Sequence, residues 1–112
     1  MRGHGYITSE RGYAVNPAGL RQAAQQTRTA AAQDAAAART FAGAVVDPSA
    51  FGRSGPAAEV ARKWNDAVTA RQTEATQLAE RTNDMADQLD ATADEYEGRE
   101  RGNEQRLSRV AA

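Results

Sequence analysis

From Ala57 to Tyr96 the chain keeps an alternating three-and-four spacing of apolar or small residues: Ala57, Ala61, Trp64, Val68, Arg71, Ala75, Leu78, Thr82, Met85, Leu89, Thr92 and Tyr96. Arg71 alone puts a charge into that line. A period of 3.5 held over about five heptads predicts a coiled-coil seam on one long helix, running from near Pro56 to about Glu97, where Gly98 and Gly102 weaken it. A shorter pattern precedes it. Leu20, Ala24, Thr27, Ala31, Ala38, Phe41 and Val45 recur at steps of three, four or seven, with Arg21, Arg28 and Arg39 mostly off that face. Asn16 is a favoured N-cap and Pro17 a favoured first helical residue, so this helix is expected over 17–46. Between the two, "DPSAFGRSGP" gathers prolines, glycines and serines that no helix tolerates, giving a turn over 47–56.

Two long helices joined by a short connection predict an all-α fold, an antiparallel two-helix hairpin of coiled-coil character over 16–100. Residues 1–15, rich in glycine and without periodicity, form a flexible lead, and 101–112 a C-terminal arm. A turn that folds symmetrically sets Phe41 beside Ala61, Ala38 beside Trp64, Ala24 beside Leu78 and Leu20 beside Thr82, so that large faces small. That register also predicts an ion pair between Asp34 and Arg71 across the seam. Helix two then overhangs the start of helix one, and the overhang is acidic: from Asp84 to Glu97 there are six carboxylates and no basic residue. The overhang is an unfavourable place for negative charge unless it lies near the positive end of helix one.

Composition limits what such a hairpin can be. Alanine supplies about a quarter of the 112 residues and aromatics only 5%, so each buried side chain removes little area from water. A core this thin predicts dimerisation, with itself or with another helical hairpin, to close a four-helix bundle. Ala23, Ala30, Ala37 and Ala44 offer a second line of small residues for that purpose. The formal net charge of -1, without any basic stripe carrying aromatics, argues against nucleic acid. No cysteine is present, and no apolar run approaches the length of a spanning helix or of a signal-peptide core, so membrane insertion is not expected.

Few side chains invite chemistry. No concave site, cysteine or phosphate-binding loop accompanies the lone His4, so catalysis, cofactors and metals are not expected. Asp84, Asp87, Asp90 and Asp94 lack the glycine-containing loop of a calcium site and read as a solvated face. Trp64 reads as packing, with its indole N–H on water or a backbone carbonyl. Phe51 is either a plug over the hairpin end or an exposed recognition aromatic. Tyr96 and Glu100 stand four apart, which on a helix places ring, hydroxyl and carboxylate side by side. The same spacing occurs at Tyr6 and Glu10. Either Tyr96 ends the seam and Glu100 is solvated, or a receptor reads the pair.

The order of these features along one hairpin carries a resemblance. "GYAVNPAGLRQAA", "FGRSGPAAEVARKWNDAV" and "TADEYEGRE" resemble the WXG superfamily of ESX (type VII) secretion, most closely the EspC-like branch of excreted or secretion-associated proteins of actinobacteria, over about residues 12–100. The resemblance implies a C-terminal export signal, read by the ATPase of the secretion machinery, at Tyr96 and Glu100. It implies a turn motif at Phe51 and Gly52, although the superfamily's Trp-x-Gly is absent and no residue separates the two. Tyr6 and Glu10 precede helix one, where the family has no such element. Together these imply a secreted protein, cytoplasmic before export, that leaves without a classical signal peptide. The alternative is a cytosolic adaptor that pairs with a larger effector and supplies the signal in trans.

Overall fold

The computed structural model describes residues 7–8 and 14–111. His4, Tyr6 and Glu10 lie outside the described residues. Two short strands come first, β1 (Ile7–Thr8) and β2 (Ala14–Val15), paired antiparallel with Ile7 opposite Val15 and Thr8 opposite Ala14. A ladder of two residues per strand is too short to leave an alternation in the sequence. Two long helices follow, α1 (Pro17–Gly43) and α2 (Gly55–Ala111), and the fold class is the antiparallel helical hairpin expected.

Asn16 caps α1 with its side chain and its main chain. Its Oδ1 accepts from the Gly19 N–H at 3.2 Å and its carbonyl accepts from the Leu20 N–H at 3.0 Å. The helix stops at Gly43, three residues before Val46, where it was expected to end. Gly43 has low helix propensity, and Pro48 disfavours helical backbone at Asp47. A competing partner completes the exit. Asn65 of α2 accepts from the Val46 N–H at 2.8 Å and donates to the Val46 carbonyl at 2.9 Å, while the Trp64 indole N–H donates to the Ala44 carbonyl at 2.8 Å.

Those three bonds lay the chain leaving α1 alongside the third turn of α2, so the turn is not symmetric. Ala38, expected beside Trp64, instead shares a shallow cleft with Ala42, Thr76, Ala79 and Asn83, about four turns further along α2. The expected Asp34–Arg71 pair does not form with this register; Arg71 binds Glu74 on its own helix at 3.3 Å. Within the connection, Asp47 accepts from the Ser49 N–H and hydroxyl at 2.9 and 2.7 Å, which holds its carboxyl below the usual range. Gly52 adopts φ +127, a left-handed conformation that disfavours any side chain. Ser54 then caps α2, its hydroxyl accepting from the Ala57 N–H at 3.1 Å.

Near Glu97 the sequence predicts an end to α2, yet the helix runs on to Ala111. Neither Gly98 nor Gly102 takes the positive φ of a helix C-cap, and no proline follows Pro56. Side chains brace the run: Arg99 donates to Glu95 at 2.9 Å and Arg106 to Asn103 at 2.6 Å. Each glycine still costs the helix about 1 kcal/mol relative to alanine.

The molecule divides into two compact units: Thr29–Asn83, and the residues up to Arg28 together with those from Asp84 onward. In the first the buried side chains are Ala31 and Ala38 on α1 and Ala61, Val68 and Ala79 on α2. In the second they are Pro17 and Ala24 on α1 and Ala86 and Ala93 on α2. Ala24, Ala31 and Ala38 are buried as the pattern predicts, with Leu20, Thr27 and Phe41 half-buried; Val45, expected on the same face, is exposed because α1 ends at Gly43 and the chain has left the helix by then.

On α2 four of the twelve expected seam positions are displaced by one residue, while Ala57 and Thr92 are half-buried. Ala61, Val68, Ala75, Thr82, Leu89 and Tyr96 are buried or half-buried as expected, but their companions are Asn65, Gln72, Ala79, Ala86 and Ala93. Arg71, Leu78 and Met85 are exposed, and Trp64, although exposed over about half its surface, turns its indole N–H to the Ala44 carbonyl. Leu78 is 49% exposed beside Ala79 at 7%, and Met85 is 57% exposed beside Ala86 at 0%. Alanine on both helices permits close approach, which the larger side chains would prevent.

Candidate functional site

Tyr96 and Glu100 lie on α2 within the unit that contains the start of α1. Because the helix is unbroken through Gly98, the two share a face one turn apart. Tyr96 is half-buried and Glu100 exposed. The Arg99 guanidinium sits 5.1 Å from the Tyr96 ring centroid while holding Glu95, so the ring is covered by a cation on one side. Beyond this point the helix from 103 to 110 is exposed throughout, Leu107 and Val110 included.

The acidic run before Tyr96 does not overhang α1, as the symmetric register had it. It lies against the helix. Arg21 donates to Asp94 at 2.6 Å and to Glu97, and approaches Asp90 at 3.7 Å. Arg28 pairs with Asp87 at 3.0 Å and with Asp90 at 2.8 Å. Two arginines thus face four carboxylates. The hydrogen bonds to Glu97 and Asp94 raise the Arg21 guanidinium above its usual range, and those to Asp87 and Asp90 raise that of Arg28. The sequence placed both arginines off the seam and so missed them; the signal available was the absence of any base between Asp84 and Glu97.

The other expected site residues are scattered. Phe51 is half exposed on the connection next to Gly52. In the unit Thr29–Asn83 Val60, Trp64 and Leu78 are exposed along one flank of the α2 seam, whereas Val68 alone of the large expected seam residues there is buried. Leu89 and Met85, in the other unit, are half-buried and exposed respectively. Among the described residues no group of three His, Cys, Asp or Glu side chains could hold a metal ion, and no helix is long and apolar enough to cross a membrane.

Comparison with curated proteins gives no match, and comparison with solved structures gives none. A family model does match, over residues 12–109, which takes in both helices almost entire, the turn with Phe51 and Gly52, and the Tyr96/Glu100 face. On that span the chain belongs to the family described as "Excreted virulence factor EspC, type VII ESX diderm".

Proposed function

We propose that this chain is a substrate of an ESX type VII secretion system and carries its export signal at Tyr96 and Glu100. Its family is one of ESX-associated excreted proteins and not an enzyme class. The observation that supports the finer reading is the unbroken helix through Gly98, which keeps an aromatic hydroxyl and a carboxylate on one face next to an exposed helical end. A groove in the secretion ATPase that accepts a ring and a hydrogen-bonded carboxylate fits that face. Folding precedes export, from the cytoplasm to the outside.

Val60, Trp64 and Leu78 support a second element of this reading, a partner hairpin. Large apolar side chains left exposed on one flank of the α2 seam, in a chain whose own seam is mostly alanine, favour closure of a four-helix bundle with a second copy or with another hairpin. The same face supports the adaptor alternative, in which it covers part of a larger effector and the signal acts in trans.

Tyr96→Ala and Glu100→Ala in secreting cells test the signal. Each is expected to lower the extracellular fraction by about tenfold or more, the size of a lost anchor contact, with helicity by circular dichroism unchanged. Parent-level export of Tyr96→Ala refutes the signal. Light scattering of the purified chain, alone and with a co-expressed neighbouring helical protein, separates the substrate from the adaptor: a stable homodimer that reaches the medium alone excludes the adaptor.

A further inference from the structure

Among the described residues, ion pairs that join α1 to α2 involve only Arg21 and Arg28; the remaining pairs are local, three or four residues apart on α2. Arg21 grips Asp94 and Glu97, which flank Tyr96 two residues before and one after. Ala93 is the last buried side chain on α2 and Gly98 comes immediately after Glu97. Arg21 therefore binds the last turn that α1 supports, at the edge of a stretch weakened by Gly98 and Gly102.

Without these arginines the same turn works against itself. Asp87, Asp90, Asp94 and Glu97 stand three or four residues apart on one face, and like charges at that spacing destabilise a helix. Fraying that enters at Gly102 and Gly98 would then pass through Tyr96, and a frayed chain no longer holds Tyr96 and Glu100 on one face.

We propose that Arg21 is the positioning residue of the Tyr96/Glu100 face: by holding Asp94 and Glu97 it keeps the surrounding turn of α2 helical and docked, so that the pair is presented preformed. This inference rests on the signal reading above and adds a residue of α1 to it. Preorganisation of this kind lowers the ordering that a receptor must impose on binding.

The test uses the full chain, with Arg21→Gln, Arg21→Glu and the exchanged pair Arg21→Glu with Glu97→Arg. Amide hydrogen exchange at residues 94–100 is expected to quicken by about tenfold in Arg21→Glu and less in Arg21→Gln, while residues 61–75 keep their protection. The exchanged pair is expected to restore slow exchange. Export should follow the same order, with the exchanged pair recovering most of what Arg21→Glu loses. Unchanged exchange at 94–100 overturns the proposal, as does loss of protection spread evenly over both units, which marks a merely structural role. Tyr96→Ala run alongside separates the two readings: if it exports normally the signal fails, and Arg21 is then judged by local exchange and its rescue alone.

Discussion

In the unit Thr29–Asn83 a covalent turn joins the two helices, and neutral polar groups do the pinning: Asn65 and Trp64 bind the main chain of Val46 and Ala44, three residues and one residue past the end of α1. The other unit has no turn between its two pieces. Its partners are remote in sequence, Arg21 and Glu97 being 76 residues apart, and ion pairs do the pinning. Both units bury little but alanine. Alanines repeated every seven residues define a face, yet each resembles the next, so a slip of one heptad sets alanine on alanine again. Directional bonds remove that degeneracy. The contrast teaches that the seam sets which sides meet and the polar pins set the register, near the turn by hydrogen bonds and far from it by charge.

The sharpest way to break that comparison is to exchange size between neighbouring positions of α2. Ala79→Leu and Ala86→Leu force a large side chain into a seam built for small ones and are expected to cost about 1–3 kcal/mol each. Leu78→Ala and Met85→Ala, on exposed neighbours, are expected to change stability by less than about 0.5 kcal/mol in the monomer. Urea unfolding of the four variants reads the difference as a shift in midpoint. If Leu78→Ala and Met85→Ala prove the costly pair, the seam runs where the sequence put it.

That same pair of positions explains what was legible. The caps Asn16 and Pro17, the broken stretch around Pro48 and Pro56, and the α1 line of Ala24, Ala31 and Ala38 follow from local rules that tertiary structure had no reason to override. On α2 two heptad lines, Trp64–Arg71–Leu78–Met85 and Asn65–Gln72–Ala79–Ala86–Ala93, flank one shared line through Ala61, Val68 and Leu89 with equal periodicity. Spacing cannot choose between them, and hydrophobic size favoured the one that is left exposed. Register was illegible for a related reason: it depends on Asn65 bonding a main chain 19 residues earlier, which no periodic pattern records. The face of Tyr96 and Glu100 was legible from spacing, whereas its neighbours Arg21 and Glu97 meet only through the unexpected register.

Asn65 offers the next largest effect, confined to the unit Thr29–Asn83. Asn65→Ala strands the N–H and carbonyl of Val46 and is expected to destabilise by about 1–3 kcal/mol. Asn65→Asp keeps the acceptor for the Val46 N–H but loses the donor to its carbonyl, and should fall between parent and Asn65→Ala at neutral pH. Amide exchange at residues 44–50 should quicken in both variants, with residues 87–97 unaffected. An equal loss of protection in the two units would mean that Asn65 is not a local pin.

Salt gives the smallest effect and the most direct contrast, because it screens one kind of pin and not the other. Raising sodium chloride from about 0.1 M to about 1 M shortens the screening length from roughly 10 Å to roughly 3 Å. Arg21 and Arg28 are partly exposed, with side chains 38% and 41% accessible, so their pairs with Asp87, Asp90, Asp94 and Glu97 are open to screening. Screening also eases repulsion among those four carboxylates, so the net loss should be modest and read best as faster amide exchange over residues 87–97. The hydrogen bonds of Asn65 and Trp64 are neutral, and burial of Ala61 and Val68 is not weakened by this salt, so residues 61–75 should hold or gain protection. Loss of protection in Thr29–Asn83 alone would reverse the assignment of forces to the two units, and an equal loss in both would erase it.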